Sequence, residues 1–329
     1  MKQIFLIIIT TFLGLSLYSQ TRAELISREK ISKNKIASVT QWTHKFVKDK
    51  VDSKGIISVV TNYDKSGNPV EVLNYKQDGS VSSRHEYKYD KQNRKTEYNQ
   101  FQVPMGGSQI KLTFKQTFSY DEKGNKKVEL GYDGKTQYRI TYSYFDDGKQ
   151  KEIVKYGVSN AIEEKWTFEH KGNATTVLVY KPAGKLEKKI VRKYDDNGNL
   201  IDETNYSSLE KELGRTTFEF LGNGLMKAKS EYYGGALRAS YSYVYDKESQ
   251  LVEVYQTNPA GEKILFSAYR YDSNGNMLEE KWFDGQPGDY SKRNFKLDNK
   301  GNINEVEAYY SDYNYKVVYK YTYKNMITT

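Results

Sequence analysis

Beyond residue 36 the chain alternates hydrophobic and polar positions with a period of two, the signature of half-buried strands. Trp42, His44 and Phe46 open the pattern, and Asp52-Ser53-Lys54-Gly55 supplies the first turn. Turns then recur: YDKSGN (63–68), YDKQNR (89–94), YDEKGN (120–125), YFDDGK (144–149), FEHKGN (168–173), YDDNGN (194–199), FLGNGL (220–225), YDKESQ (245–250), YDSNGN (271–276) and LDNKGN (297–302). Their fifth positions are spaced by 26, 31, 24, 24, 26, 26, 25, 26 and 26 residues. The long interval holds the Pro104-Met105-Gly106-Gly107 insertion. A repeat of about 26 residues fits one hairpin plus a return turn, so the pattern predicts about ten antiparallel β-hairpin units over residues 36–329.

The turn chemistry follows from the residues. Asp64, Asp90, Asp121, Asp195, Asp272 and Asp298 can each accept backbone N–H groups of their own turn. Gly67, Gly124, Gly198, Gly275 and Gly301 tolerate the left-handed dihedrals that follow a type I turn. Asn93 is the next most tolerant residue at that position. Ser249 is not, and its turn is expected to differ.

With the glycine position as zero, −4 is Tyr or Phe in nine units, −6 is aromatic in eight, +8 is aromatic in nine and +4 is acidic in seven. All four offsets are even. The hairpin register implied by the turn sets −6 opposite +4, so aromatic rings and carboxylates should share one face, with Lys and Thr on the other. Stacked tyrosines with phenols donating to glutamates are the expected ladder. Some twenty strands at ~4.8 Å spacing would extend ~100 Å if flat, and twist argues against flatness. The expected fold is all-β: one long, twisted or curled single sheet, open at its ends.

Four YDxxGN turns, with a Tyr or Phe two residues upstream in several units, resemble the YD repeats of the RHS family, over about Val39 to Tyr323. The resemblance implies an antiparallel sheet wound into a shell or spiral, in proteins that encapsulate toxins or sit at cell surfaces, some described as carbohydrate-binding. The chain departs from the family in placing Asn after the turn glycine where Arg is usual, and no self-cleaving toxin region follows Tyr323. A Tyr- and Gly-punctuated MORN-type repeat is the second family it resembles.

The first 19 residues read as a secretory signal: Lys2, an apolar stretch from Ile4 to Leu17, and Ser19 before the cut. Residues 20–35 read as a polar linker. The expected location is secreted, periplasmic or cell-surface, without stable membrane insertion after cleavage. The absence of cysteine excludes a lipoprotein anchor and disulfide staples.

Charge and composition narrow the chemistry. There are 51 Lys and Arg against 42 Asp and Glu, a net +9, in a chain with 31 tyrosines. The basic residues lie among nearly as many acids, which argues against nucleic acid as a partner. His44, His85 and His170 fall in different units, and no nucleophile-elbow, P-loop or zinc-helix motif is present. Asp195–Asn199 and Asp272–Asn276 resemble calcium loops only faintly, and turn formation accounts for the same residues. Glu163-Glu164 and Glu279-Glu280 are strand neighbours, so each pair should split between faces.

No cofactor or metal is expected. The expectation is a non-enzymatic binding scaffold whose partner is a protein or a surface polysaccharide, with a carbohydrate-binding module as alternative and an enzyme as a remoter one. Trp282, Phe283, Tyr290 and Met105, at or near breaks in the repeat, are the candidate binding surface.

Overall fold

The computed structural model describes residues 28–327 except 48, 49, 105, 106, 108, 284, 286 and 287. Met105 lies outside the described residues. A helical segment over 28–33 precedes β1 (Ile36–Val47), a short β2 (Lys50–Val51), β3 (Ile56–Tyr63) and then a meander of hairpins to β22 (Ile303–Tyr310) and β23 (Tyr315–Asn325). From β3 onward every strand pairs antiparallel with its neighbours in sequence. β1 pairs with β3 on one side and β23 on the other. All strands except β2 therefore form one closed, 22-stranded antiparallel barrel.

This corrects the expectation of an open, curled sheet. All-β hairpin units are present, but the sheet ends meet. Closure removes the two free edges that an open sheet would present. The accessible surface is 21787 Å², against ~14,000 Å² for a compact protein of this mass. The molecule is a single-layered wall rather than a two-layer sandwich.

Nine of the ten motif turns share one geometry. In the first, Asp64 N–H donates to the Asn68 carbonyl (2.9 Å) and Gly67 N–H to the Asp64 carbonyl (3.0 Å), with Gly67 at φ 81°. Asp64 Oδ1 accepts from Ser66 and Asn68 N–H, each at 2.9 Å. The residue after the glycine closes the motif. Asn68, Asn125, Asn199, Asn276 and Asn302 each donate Nδ2 to the other oxygen of their aspartate at 2.9–3.0 Å. Arg94 does the same through Nε to Asp90 at 2.7 Å. Asn and Arg thus perform one task in these turns. Ser249 takes φ 65° in a turn with the same two backbone bonds, so its turn does not differ. The exception is 168–173, where Gly172-Asn173 makes a two-residue loop.

Those nine units also carry a second irregularity that the turn does not announce. Tyr120 pairs with Lys126 but Ser119 with Val128, leaving Lys127 as a bulge. The same extra residue at +3 recurs as Val70 and Thr96. It slips the register by one, and a one-residue slip exchanges faces. Position +4 therefore lies opposite −5, not −6: Glu71 faces Asn62, Glu97 faces Lys88 and Glu305 faces Lys296. The acidic positions sit among the lysines, on the face away from the motif aromatics, contrary to expectation.

The ladder is interrupted at each bulge, and the motif tyrosine acts there. The −4 phenol of one unit donates to the +2 carbonyl of the unit before it: Tyr89 to Pro69 (3.1 Å), Tyr120 to Lys95 (2.6 Å), Tyr144 to Lys126 (2.9 Å), Tyr245 to Met226 (2.8 Å) and Tyr271 to Leu251 (3.0 Å). Tyr323 does so to Ile303. In the unit that has Phe168, His170 Nε2 reaches Gln150 O at 2.8 Å instead. The phenols thus tie hairpin to hairpin around one rim rather than forming a glutamate ladder.

Candidate functional site

The wall has two faces and two rims. The aromatic face holds the motif rings and the best-buried cluster, Trp166, Val177, Val179 and Ile190, with Ile153 and Phe168 packed against it. It also buries charge. Glu129 accepts from Gln116 (2.9 Å), Tyr138 (3.2 Å) and Tyr142 (3.3 Å). Burial and the nearby carboxylate push Tyr138 up to about 12. Arg192 pairs with Glu203 at 2.7 Å and Arg293 with Glu280 at 3.3 Å.

The other face is ionic. Lys88, Glu97 and Lys115 form one chain at 3.0 and 3.8 Å, and Lys296, Glu305 and Lys320 another at 2.6 and 3.9 Å. Its +8 aromatics are capped by cross-strand cations: Arg84 over Phe101 (5.1 Å), Arg139 over Tyr156 (4.3 Å), Lys189 over Tyr206 (4.9 Å) and Arg215 over Tyr232 (5.9 Å). Neither face offers the uninterrupted apolar band with which a barrel wall meets lipid tails.

The candidate residues separate. Trp282 faces Ser291, with Arg293 over its ring at 5.0 Å and Tyr310 edge-on at 6.1 Å. Phe283 faces Tyr290 one position further on, hence on the opposite face, and Lys281 lies 4.1 Å from the Tyr290 centroid. The three rings do not form one platform.

The histidines stay apart. His44 is buried against Asp52 O (2.8 Å). His85 meets Tyr98 Oη at 2.8 Å, and desolvation holds its pKa below the usual value. Among the described residues no three His, Asp or Glu side chains gather as a metal site. Glu279 and Glu280 reach Arg270 and Arg293 on opposite faces, as alternation requires. Glu163 and Glu164 do not split. Glu163 is itself a bulge residue, with its carboxylate 3.0 Å from Lys155; against burial, Lys181 at 2.6 Å and the Trp166 indole hold the Glu164 pKa below its usual value, with Lys155 adding to the effect.

The rims differ most. The rim carrying the motif turns is polar and cross-linked. The N-terminal helical segment lies along it: Ser32 donates to Lys65 O (2.8 Å), Asn34 to Asn302 (2.9 Å) and Lys30 to Asn276 (3.3 Å), with Ile31 and Ile36 buried. One groove of about 540 Å³ opens there between adjacent turns, lined by Tyr144, Phe145, Asp121, Glu122, Lys123 and Asp146 among others. Phe145 occupies the usual aspartate position and is exposed.

The opposite, plain rim carries the return turns and the 103–110 loop. Of the eighteen large hydrophobic residues that are exposed among the described residues, fourteen lie in the half of the wall toward this rim. Four sit at turns: Val158 (74%), Leu209 (88%), Tyr233 (73%) and Tyr313 (81%). Sequence reading missed this set, because Val158, Leu209 and Tyr313 are single apolar residues in otherwise polar loops and Tyr233 ends a strand. Only the closed topology brings them to one ring.

Structure and site define a class, a closed barrel of repeated hairpins with two unlike rims. No protein-family model matches the chain, and no curated protein does. Among solved structures it is similar to a Tc toxin component in the TcdB2-TccC3-Cdc42 structure (TM-score 0.29, 11% identity, 83% of this chain, 18% of that one). It is similar also to a porin-like protein from Bacteroides uniformis (TM-score 0.32, 12% identity, 88% of this chain, 98% of that one). The chain spans about a fifth of the length of the Tc toxin chain it matches. At these scores the likenesses define neither family nor function, and closure rests on the strand pairings themselves.

Proposed function

We propose that this chain is an exported, non-enzymatic binding scaffold of the bacterial cell envelope or exterior, and that it engages its partner through the plain rim. The observation that carries this reading is the asymmetry of exposed apolar residues between the two rims. Recognition through a strand edge has no support in a closed sheet. Recognition through the +8 aromatics is weakened by the cations that cover four of them.

The test is binding of the protein from residue 20 onward to isolated envelope fragments. A Val158→Ser/Leu209→Ser/Tyr313→Ser variant is compared with a motif-rim control, Phe145→Ser/Leu221→Ser. All five residues are exposed, so both variants should fold. The first should lose about tenfold in affinity and the second should be unchanged. Equal binding by both would reject the rim.

A second reading, carbohydrate binding, rests on the groove beside Phe145, where a partly exposed ring, with Lys151 5.7 Å from its centroid, adjoins carboxylates and Lys123. A glycan array on the same protein tests it, and no signal above background for any glycan would end it.

A further inference from the structure

We infer that the plain rim docks on an anionic lipid surface; the inference rests on the rim reading above and names its partner. Three features of the rim combine. The first is the shape of its tips. Val158, Leu209 and Tyr313 each stand at the apex of a closed turn, fixed by Asn160 N–H to Gly157 O (2.9 Å), Glu210 N–H to Ser207 O (3.1 Å) and Asn314 N–H to Ser311 O (3.0 Å). The tips are isolated from one another by polar turn residues and distributed around the mouth of a barrel. A protein partner usually buries one contiguous apolar patch. A ring of separated apolar tips suits a planar medium that receives each tip independently, and Tyr is a residue of the membrane interface.

The second feature is unpaired positive charge. Lys76, Lys111, Lys135, Lys185, Lys211 and Lys263 are exposed beside the return turns, and none makes an ion pair with a described carboxylate. Lysines on the wall between the rims, such as Lys88, Lys165 and Lys296, are paired.

The third is the treatment of four rim carboxylates, which are tied within the protein, while Asp289 and Asp312 stand exposed beside the same turns. Asp78 accepts from Ser80 N–H (2.8 Å) and its hydroxyl (2.6 Å), and Asp133 accepts from Thr136 N–H (2.8 Å) and its hydroxyl (2.9 Å). Glu210 is held by Lys189, and Glu262 by Asn258 at 2.6 Å. These carboxylates keep their charge, and the rim's six unpaired lysines stand between its apolar tips, the pairing that binds reversibly to anionic headgroups without spanning the bilayer. The charged faces of the wall stay in water.

The test is co-sedimentation of the protein from residue 20 onward with vesicles of phosphatidylcholine, alone or mixed with phosphatidylglycerol. Binding to the mixed vesicles should exceed binding to phosphatidylcholine by about tenfold or more and fall as salt is raised. The triple serine variant, and separately Lys135→Glu/Lys211→Glu, should each lose about tenfold while keeping the native melting curve. Binding to mixed vesicles that is unaltered in both variants would overturn the inference. So would a lipid-free dimer that the serine variant disperses, since the rim would then bind a second copy. If vesicles are ignored while envelope fragments bind through the same rim and lose that capacity on protease treatment, lipid is rejected and the rim reading stands. If the serine variant binds envelopes like the native protein, both fall.

Discussion

At the scale of single residues, the motif is a set of hydrogen-bonding obligations. Tyr245 donates its phenol to Met226 O beside a bulge. Tyr245→Phe keeps the ring and removes the bond, and should cost about 1 kcal/mol. A denaturant melt measures it, and no change in midpoint would show that water satisfies the carbonyl equally well. The turn aspartates carry a pH signature. Asp195 and Asp272 are held below the usual carboxylate range, first by the Asn199 and Asn276 side-chain amides, with turn N–H groups adding to the effect. A depressed folded pKa favours the ionised form in the folded state. The resulting stability is complete above the unfolded value of about 3.9 and is lost as pH falls through the lower folded value. Urea midpoints should therefore drop as pH falls below about 4, and Asp195→Asn/Asp272→Asn should make that drop shallower. An unchanged acid slope in the double variant would remove these turns as its cause.

At the scale of the hairpin, the turn was legible in the sequence and the bulge was not. Asp, Gly and Asn at fixed offsets announce the turn, because each is suited to a dihedral or a bond that few other residues supply. Position +3 is filled by Val70, Thr96, Lys127, Ile201 and Asn304 in different units. None of these bulge residues takes a positive φ, so no residue type marks the position. That invisible slip placed the acids on the lysine face. A separate bulge at Glu163, beside a return turn, brought the Glu163 carboxylate to Lys155, the residue opposite Glu164 across the strands. The candidate site was legible to a smaller degree. Trp282, Phe283 and Tyr290 were sought near a break in the repeat, and strand alternation divides them between two faces. Ser249 offers a test of the turn itself. Its left-handed φ of 65° is strained for a residue with a Cβ, so Ser249→Gly should stabilise by about 0.5 kcal/mol after glycine's greater unfolded freedom is deducted. Thermal denaturation of that single variant decides it, and a lower melting temperature would refute the account.

At the scale of the whole molecule, closure is a property of the number of units. Each unit specifies its own hairpin and its bonds to the next, but no residue within it encodes how many complete a circle. Periodicity therefore predicts the wall and leaves its ends undetermined. The seam supplies what the repeat lacks. β1 lies between β3 and β23, and the 28–33 helical segment bonds to turns on both sides of the seam, at Lys65, Asn276 and Asn302. Two-rimmed polarity follows as well, since strands of similar length run from the motif turns to the return turns. Removing residues 315–329 should leave β22 and β1 each with an unpaired edge. Size-exclusion chromatography with light scattering should then show concentration-dependent self-association, absent from the full chain. A monodisperse truncated monomer would mean that the open form protects its own edges.

The seam also orders events in time. Trp42 Nε1 donates to Thr322 Oγ1, a contact 280 positions apart, whereas neighbouring hairpins meet within a few tens of residues. Hairpins can therefore form one after another as the polypeptide emerges, each on fast local contacts. The first strand must wait, half-paired, until the last has arrived. The barrel thus completes only at the end of its own delivery, and an intermediate with two exposed edges exists until then. Such late completion keeps the growing sheet from becoming a finished ring before its final strand has arrived.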